Sequence, residues 1–309
     1  MSRISGKDTS ETLVGGTLSD ALYGNLGDDV LRGLSGDDLL VDGGGNDTLR
    51  GGGGDDLLYS VAGTDIFDGG GGAADTLVDQ FYGILAGSEV AFFDMRTRDH
   101  GFRSEAPEEL DTVRKIENWH VVGAIDVQAV GDGRANLFRT DRGNDLIAAG
   151  RGADTIESGD GNDSIRGGKG NDLLEAGAGD DDLKGDIGDD RLVGGAGNDR
   201  VFGGAGADVI VDGAGDDTLT GNAGADDFVF VAEADGIGAN LVRDMNTGND
   251  RLILSTALWD YEVLTPEEVI DRFGQDAAGG AVLDFGEAGS IQFKGVSDVD
   301  TLLDDLFFA

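Results

Sequence analysis

Aspartate recurs at a constant spacing in two parts of the chain, and this spacing is the feature with the clearest chemical meaning. Residues 140–229 divide into ten units of nine residues, and the sixth residue of every unit is aspartate. A series in the same phase runs over 6–68, with Glu11 at the sixth position of its first unit. Carboxylates at a fixed interval can be stacked by regular secondary structure, and stacked carboxylates repel unless a cation lies between them. The sixth-position aspartates that we predict as metal ligands are Asp29, Asp38, Asp47, Asp56, Asp65, Asp145, Asp154, Asp163, Asp172, Asp181, Asp190, Asp199, Asp208, Asp217 and Asp226.

The remaining fixed positions of the unit predict the elements that place these aspartates. In 140–229 the fourth residue is always glycine and the eighth is always Ile, Leu, Val or Phe. Glycine permits the positive φ angles of a tight turn, and the seventh to ninth residues have the composition of a short strand with one inward side chain. A repeated turn and strand winds a solenoid. With two units per coil, Asp163 would lie near Asp181 and Asp172 near Asp190.

The donor set favours calcium. Carboxylates and turn carbonyls form a flexible site made only of oxygen, whereas magnesium requires a strict octahedron and retains its waters. Zinc is not favoured, because the chain has no cysteine and only two histidines. Each unit buries a single apolar side chain, so we expect the calcium-free chain to be largely unfolded and calcium to stabilise the fold. The turn glycines that represent this predicted set are Gly167, Gly168, Gly170, Gly194, Gly195 and Gly197.

Composition argues against several classes of partner. The chain has 62 acidic and 22 basic residues, a formal charge of −40, which repels nucleic acid and anionic lipid. A flexible linker would not hold an acid and an aliphatic residue in register, and no phosphate-binding GxxxxGK[ST] motif occurs. No apolar run approaches the length of a membrane span, and the N-terminus lacks the apolar segment of a Sec-type signal peptide.

The repeat resembles the RTX (hemolysin-type) calcium-binding nonapeptide, GGxGxDxUx. This resemblance implies an all-β fold, a parallel β-roll (β-solenoid) in which the sixth-position aspartates and turn carbonyls hold calcium between successive turns. It also implies folding triggered by the millimolar calcium outside the cell. Some units depart from the pattern: Glu11 replaces aspartate, GGTLSDALY lacks the fourth glycine, SVAGTDIFD lacks the first two, and the unit at 69–78 is one residue longer. The departures put in doubt the sites near 6–23 and 60–78.

The C-terminal segment predicts a small mixed cap. Thr265, Pro266 and Glu268 have the spacing of a helix start with a capping box, and Gly274 is a plausible stop. Alternating residues at 281–285 and 290–294 predict strands. The stretches RDMNTGNDRLIL and AVLDFGEAGSIQFKGV resemble the end of serralysin-type proteases and related RTX exoproteins, and DDLFFA, Asp304 to Ala309, has the acidic-then-apolar form seen there. That resemblance implies an uncleaved signal for type I (ABC transporter) secretion and an extracellular location. The alternative is a docked cap without a signalling role, and the two can coexist.

The segment 79–139 interrupts the repeats. It contains both histidines and the most basic run of the chain, MRTRDHGFR, with Arg96, Arg98, His100 and Arg103. EVAFFDM predicts a strand, and we expect degenerate solenoid strands with a loop or hairpin near 94–110. This patch could bind an acidic polysaccharide such as alginate, in which case the chain would be a carbohydrate-binding module resembling the R-modules of alginate epimerases, or form a solvated loop whose arginines pair with nearby acids. The sequence has neither HExxH nor GxSxG, so we predict no catalytic residue, although an enzyme that uses the insert is a further alternative.

These observations predict four parts: a first β-roll block over 1–78, an insert over 79–139, a second block over 140–229, and a cap with the secretion-signal region over 230–309. The function that we expect is that of a secreted, calcium-binding, non-enzymatic protein with a structural or adhesive role. Its expected partners are calcium ions, the type I secretion machinery and, in the alternative, an extracellular polysaccharide.

Overall fold

The computed structural model describes residues 2–308 except 62–64, 72–74, 81–89, 95–98, 104–111, 115–117, 123–125, 232–235 and 260–261. For 79–80, 90–94, 99–103, 112–114 and 122 only the backbone is described. The chain divides into two compact units, Met1–Ala149 and Gly150–Ala309. Both are parallel β-solenoids, as the repeat predicts.

Short strands follow one another through the first unit. They are β1 (Arg3–Ser5), β2 (Thr12–Val14), β3 (Ala21–Leu26), β4 (Val30–Arg32), β5 (Leu39–Gly44), β6 (Thr48–Gly52), β7 (Leu57–Ser60), β8 (Ile66–Gly70), β9 (Thr76–Gln80), β10 (Val90–Asp94), β11 (Asp99–Arg103), β12 (Thr112–Arg114), β13 (Asn118–Val122), β14 (Asp126–Val130), β15 (Leu137–Arg139) and β16, which begins here (Leu146–Arg151). The order in one sheet is β1-β3-β5-β7-β9-β13-β15, in a second β2-β4-β6-β8-β12, and in a third β11-β10-β14-β16. Alternate strands of the repeat therefore belong to opposite sheets.

The second unit continues the pattern and ends in a mixed sheet. Its strands are β17 (Thr155–Asp160), β18 (Ser164–Lys169), β19 (Leu173–Ala178), β20 (Asp182–Ile187), β21 (Arg191–Ala196), β22 (Arg200–Ala205), β23 (Val209–Ala214), β24 (Thr218–Ala223), β25 (Asp227–Phe230), β26 (Ala239–Val242), β27 (Arg251–Leu254), β28 (Gly274–Ala277), β29 (Gly280–Asp284), β30 (Ser290–Phe293) and β31 (Leu306–Phe308). One sheet runs β17-β19-β21-β23-β25-β27-β31, and the other β18-β20-β22-β24-β26-β30-β29-β28. The helix α1 spans Pro266–Phe273, and 3₁₀ segments span Thr256–Trp259, Gly286–Ala288 and Val299–Asp305.

Strand register confirms two repeat units per coil. Leu174 of β19 stands opposite Leu192 of β21 in a parallel pair, and Leu22 stands opposite Leu40 in the same way. Each of these eighth-position leucines is fully buried, whereas the flanking Leu173 and Glu175 point outward. The core is thus a single column of apolar side chains in each sheet, because only one residue of every strand triplet faces inward.

The turns require glycine where successive coils approach one another. Gly170 has φ +137°, and a Cβ on it would overlap the carbonyl oxygen of Gly152 in the coil below. Gly168 has φ +111° and meets the carbonyl of Gly150 in the same way. A side chain at either position would force the coils apart.

The cap has the local structure that the sequence predicts. The Thr265 hydroxyl accepts the N–H of Glu268 and the Glu268 carboxylate accepts the N–H of Thr265, which forms the capping box of α1. Strands β29 and β30 pair antiparallel near the predicted ranges. Although the sequence period stops after Val229, the parallel ladder does not, because β27 pairs with β25 and β31 pairs with β27. Within the described part of the chain, no helix is long and apolar enough to cross a membrane.

The insert also continues the solenoid. Strand β13 pairs in parallel with β9 and β15, and β10 pairs with β14. Strand β10 lies within the predicted EVAFFDM strand, and it forms an antiparallel hairpin with β11, as expected near 94–110.

Candidate metal centre

Within each unit the sixth-position aspartates form two buried columns, along which the backbone of one aspartate is hydrogen-bonded to the aspartate of the next coil. The backbone N–H of Asp172 donates to Oδ1 of Asp190 at 2.8 Å, and that of Asp190 donates to Oδ1 of Asp208 at 2.9 Å. The second column has the same bond from Asp163 to Asp181, at 2.7 Å. In the first unit the N–H of Asp29 donates to Asp47 at 2.6 Å. One carboxylate oxygen of each aspartate therefore stabilises the turn eighteen residues earlier.

The other carboxylate oxygen is buried and accepts no hydrogen bond. This holds for Oδ2 of Asp29, Asp38, Asp47, Asp56, Asp172, Asp181, Asp190, Asp199, Asp208, Asp217 and Asp226. These residues are at most 3% exposed, so water does not solvate the oxygen in place of a protein donor. Asp145, Asp154 and Asp163 occupy the same buried position. A buried anionic oxygen is strongly destabilising unless a cation or a donor faces it.

The turn glycines leave space beside the free oxygens. A Cβ on Gly167 would overlap Oδ2 of Asp172, and one on Gly194 would overlap Oδ2 of Asp199. Gly195 and Gly197 have positive φ, as do Gly168 and Gly170 in their own turn. The first-position glycine therefore lies beside the free carboxylate oxygen, and the second- and fourth-position glycines lie against backbone carbonyl oxygens of the preceding coil. An oxygen donor set of this kind fits a hard cation such as calcium.

Electrostatics shows how much this arrangement depends on a positive charge. The pKa of Asp181 and of Asp190 is raised to about 7, chiefly by burial and also by neighbouring carboxylates, against the backbone N–H donors that lower it. The pKa of Asp217 is likewise raised to about 7, chiefly by burial. Aspartates are ordinarily ionised well below neutral pH. The metal-free fold thus disfavours the charge that these residues carry in solution, and a bound cation reverses that effect.

The first two units, over 6–23, depart from the repeat in sequence, and the hydrogen bonds of their acidic residues also differ from those of the regular units. Both oxygens of Asp20 are satisfied, since Oδ1 accepts the N–H of Ser2 at 2.8 Å and Oδ2 that of Gly16 at 2.6 Å. These bonds lower the pKa of Asp20. The Glu11 carboxylate accepts the N–H of Lys7 in its own unit. The free oxygen of the regular units is therefore not reproduced at Asp20. At the other doubtful end, Oδ1 of Asp65 accepts the N–H of Asp47, and Asp75, displaced by one residue, still accepts the N–H of Asp56.

Two further residues continue the columns and were not predicted. Asn240 accepts the N–H of Asp217 at 2.8 Å, and Asp250 accepts that of Asp226 at 3.1 Å, as the next sixth-position aspartate would. Asp250 also accepts the N–H of Asn246 with Oδ2, so both of its oxygens are engaged. The stretch GNDRLI at 248–253 repeats the end of a unit, and this signal could have identified Asp250.

Aspartate also occupies the first position of two units, at Asp42 and Asp212, where most units have glycine, and the repeat pattern predicts no role for either residue. Both side chains are fully buried. Burial raises the pKa of each to about 8. Asp42 lies with Asp47 and Asp65, and one carboxylate oxygen of each lies within 4.8 Å of the others.

The basic patch of the insert falls largely outside the described residues. Arg96 and Arg98 are not described, and only the backbone of His100 and Arg103 is. Binding of an acidic polysaccharide by this patch and an enzymatic use of the insert therefore stay predictions from the sequence.

Comparisons with known proteins address the repeats. A family model for the RTX calcium-binding nonapeptide repeat (4 copies) matches residues 5–40, 41–74, 130–165, 139–174, 157–192, 175–210, 193–228 and 202–235, more than half of the chain. A search of curated proteins finds no match. A solved structure, the extracellular lipase LipA from Serratia marcescens, aligns at 19% identity and a TM-score of 0.38. The alignment covers 99% of this chain and 40% of the lipase, so the chain spans well under half of that protein's length.

Proposed function

The chain belongs to the RTX calcium-binding nonapeptide repeat family, and from that premise we propose that it is a secreted protein whose β-roll folds when calcium binds between successive coils. One observation carries the proposal. Eleven of the buried sixth-position aspartates, among them Asp29, Asp172 and Asp190, each keep one carboxylate oxygen, Oδ2, without a hydrogen-bond partner beside a glycine turn. The sixth-position aspartates are the proposed side-chain ligands, and the carbonyls of the turn glycines are the proposed backbone ligands.

Folding and calcium binding are coupled in this arrangement. The unfolded chain has no stacked carboxylates, so it has no preformed site, and calcium binds mainly the folded state. Each repeat unit buries one eighth-position apolar side chain, and these side chains, such as Leu174 and Leu192, stack into a narrow core. The columns of like charge oppose that stabilisation until cations neutralise them.

Export follows from the same coupling as the second part of the proposal. A chain that folds only at millimolar calcium stays unfolded at low calcium, which suits export through a type I channel, and folds outside the cell. The resemblance of the segment 230–309 to the ends of RTX exoproteins supports this route, as do the formal charge of −40 and the lack of cysteine. The role that we propose for the folded protein is structural or adhesive rather than enzymatic, since the sequence has neither HExxH nor GxSxG.

Far-UV circular dichroism tests the central claim. The full chain, depleted of calcium with a chelator, should show a largely unstructured spectrum and convert to a β spectrum on addition of millimolar calcium. Magnesium at the same concentration should not substitute, because it requires octahedral geometry and retains its waters. A chelated chain that is already fully folded, or one that folds equally with magnesium, would contradict the proposal.

Export is tested separately in a bacterium that expresses a type I secretion system. Removal of Asp304 to Ala309 should abolish appearance of the chain in the medium. The truncation also removes β31, which pairs with β27, so circular dichroism of the purified truncated chain with calcium is the control: a retained β spectrum separates loss of a signal from loss of structure. Undiminished export of the truncated chain would overturn the assignment of these residues to the signal.

A further inference from the structure

Asp42 differs from the first residue of most units, which is glycine. In those turns a side chain at the first position would meet the free carboxylate oxygen, since a Cβ on Gly24 would lie 2.7 Å from Oδ2 of Asp29. A Cβ on Gly33 would overlap Oδ2 of Asp38 in the same way. An acidic first residue therefore brings an additional carboxylate to the edge of the space that the sixth-position aspartate lines.

The contacts of Asp42 engage only one of its two carboxylate oxygens. Its Oδ1 accepts the N–H of Gly43 and, at 2.9 Å, the N–H of Val61. Its Oδ2 is buried without a hydrogen-bond partner, and the whole side chain is 0% exposed. The Oδ2 atom of Asp47 is also buried and unpartnered.

Asp65, in the next coil, adds a third carboxylate beside those of Asp42 and Asp47. Its Oδ1 accepts the N–H of Asp47 at 2.7 Å, and its Oδ2 accepts the Ser60 hydroxyl at 3.4 Å. One oxygen from each of Asp42, Asp47 and Asp65 lies within 4.8 Å of the other two, and all three residues are buried. Three buried carboxylates at this separation cannot all be ionised unless a positive charge lies among them.

We propose that Asp42, Asp47 and Asp65 together bind a single hard cation in a site with three carboxylates, which fills at lower calcium than the regular sites of the roll. The inference rests on the proposed function and deepens it. In a regular pair such as Asp172 and Asp190, two stacked aspartates face the turn and the first residue contributes no charge. The affinity of an oxygen site for calcium increases with the number of charged ligands. The added carboxylate therefore makes this site the first to be occupied and the point at which the first unit begins to order.

Asp212 provides the internal contrast. It occupies the same first position and is equally buried, yet its Oδ2 accepts the side-chain amide of Asn240 at 3.2 Å and its Oδ1 accepts the N–H of Val231 at 3.3 Å. Both oxygens are engaged, and the next coil presents a neutral asparagine instead of an aspartate. A buried first-position aspartate alone is thus insufficient for the site, and Asp212 makes a matched control.

Calcium binding to the full chain tests the inference, measured by isothermal titration calorimetry in the presence of a competing chelator of known affinity. The wild type should show one site that binds at least about tenfold more tightly than the remainder, given how strongly ligand charge sets affinity. Asp42→Asn keeps the shape of the side chain and removes its charge, so the calcium affinity of this site should fall to that of the other sites. Asp212→Asn should leave the tight site unchanged.

A second variant controls for misfolding of the first. Asp42→Gly restores the residue that the repeat uses at this position, and circular dichroism at saturating calcium should give the wild-type spectrum while the tight site is lost. The three-carboxylate site is wrong if the wild type lacks the tight site, or if both Asp42 variants retain it. The proposed function stands in either case, provided that calcium folds the wild type and the variants. If the wild type neither binds calcium nor folds with it, the proposed function itself fails.

Discussion

The backbone N–H of Asp172 donates to Oδ1 of Asp190 at 2.8 Å, while Oδ2 of Asp190 is buried without a hydrogen-bond partner. A single carboxylate thus performs two separable functions. One oxygen joins its coil to the preceding one, and the other presents negative charge to the space beside the glycine turn. Asparagine retains an oxygen that can accept the backbone bond but lacks the charge, so the two functions can be separated by substitution.

Asp190→Asn is expected to raise the calcium concentration at the midpoint of folding by about threefold to tenfold, because one charged ligand is lost from the column. The β spectrum at saturating calcium should be retained, because the bond to Asp172 can still form. Circular dichroism against free calcium measures the midpoint.

Asp189→Asn is the matched control for this prediction. Asp189 is the adjacent residue, it is not buried, and its Oδ1 accepts the N–H of Ala207, which asparagine can also do. The midpoint of this variant should equal that of the wild type. Equal midpoints for all three proteins would remove Asp190 from the set of ligands.

Gly170→Ala should destabilise the calcium-bound fold strongly. Gly170 has φ +137°, and its Cβ would overlap the Gly152 carbonyl oxygen, so both the backbone conformation and the spacing of the coils oppose a methyl group. The conformational strain alone costs about 1–3 kcal/mol, and the overlap adds to it. Urea unfolding at saturating calcium measures the loss. Gly133→Ala is the control, since no atom lies within 4 Å of a Cβ there, and its unfolding midpoint should be unchanged.

Leu192→Ala tests how much the narrow core contributes. Leu192 is 0% exposed and pairs with Leu174 on one side and Ile210 on the other. Truncation of a fully buried leucine costs about 2–5 kcal/mol. Urea unfolding in calcium should show this loss, whereas Ile187→Ala, at a side chain 52% exposed, should change stability by less than about 0.5 kcal/mol. A small effect at Leu192 would mean that calcium, rather than the core, supplies most of the stability.

The regular coils were predictable from the sequence because the same nine-residue pattern of glycine, aspartate and an apolar residue recurs without interruption. In Gly167–Glu175 the glycines must turn, Leu174 must face inward and Asp172 must lie beside the turn, and the structure places all of them so. The unbroken interval of nine residues also fixes which residues meet in the next coil.

Positions where the chain inserts residues were not predictable in this way. The step from Asp217 to Asn240 is 23 residues and that from Asp226 to Asp250 is 24, so counting in units loses the register that the strands retain. Asp42 was missed for another reason. The repeat predicts the fold from what its units share, and Asp42 is where one unit differs from the rest, so its meaning depends on which atoms surround it.

Acidity should replace part of the effect of calcium. Burial raises the pKa of Asp190 and Asp217 to about 7 in the metal-free fold, whereas an unfolded aspartate titrates near about 4. The folded state consequently binds more protons than the unfolded state between these values. A raised pKa of this kind contributes stability that is fully present below about pH 4 and is lost as the pH rises through about 7. The calcium-free chain should therefore gain β structure on acidification from pH 8 to about pH 5.

Circular dichroism of a chain depleted of calcium by dialysis, at constant ionic strength, measures this transition without a chelator whose own affinity changes with pH. Asp217→Asn removes one charge that the metal-free fold disfavours, so its transition should shift to higher pH than that of the wild type. Asp189→Asn, at an unburied side chain, should not shift it. A calcium-free chain that stays unstructured down to about pH 5, or a shift to lower pH in Asp217→Asn, would show that repulsion among the buried carboxylates is not what keeps the metal-free chain unfolded.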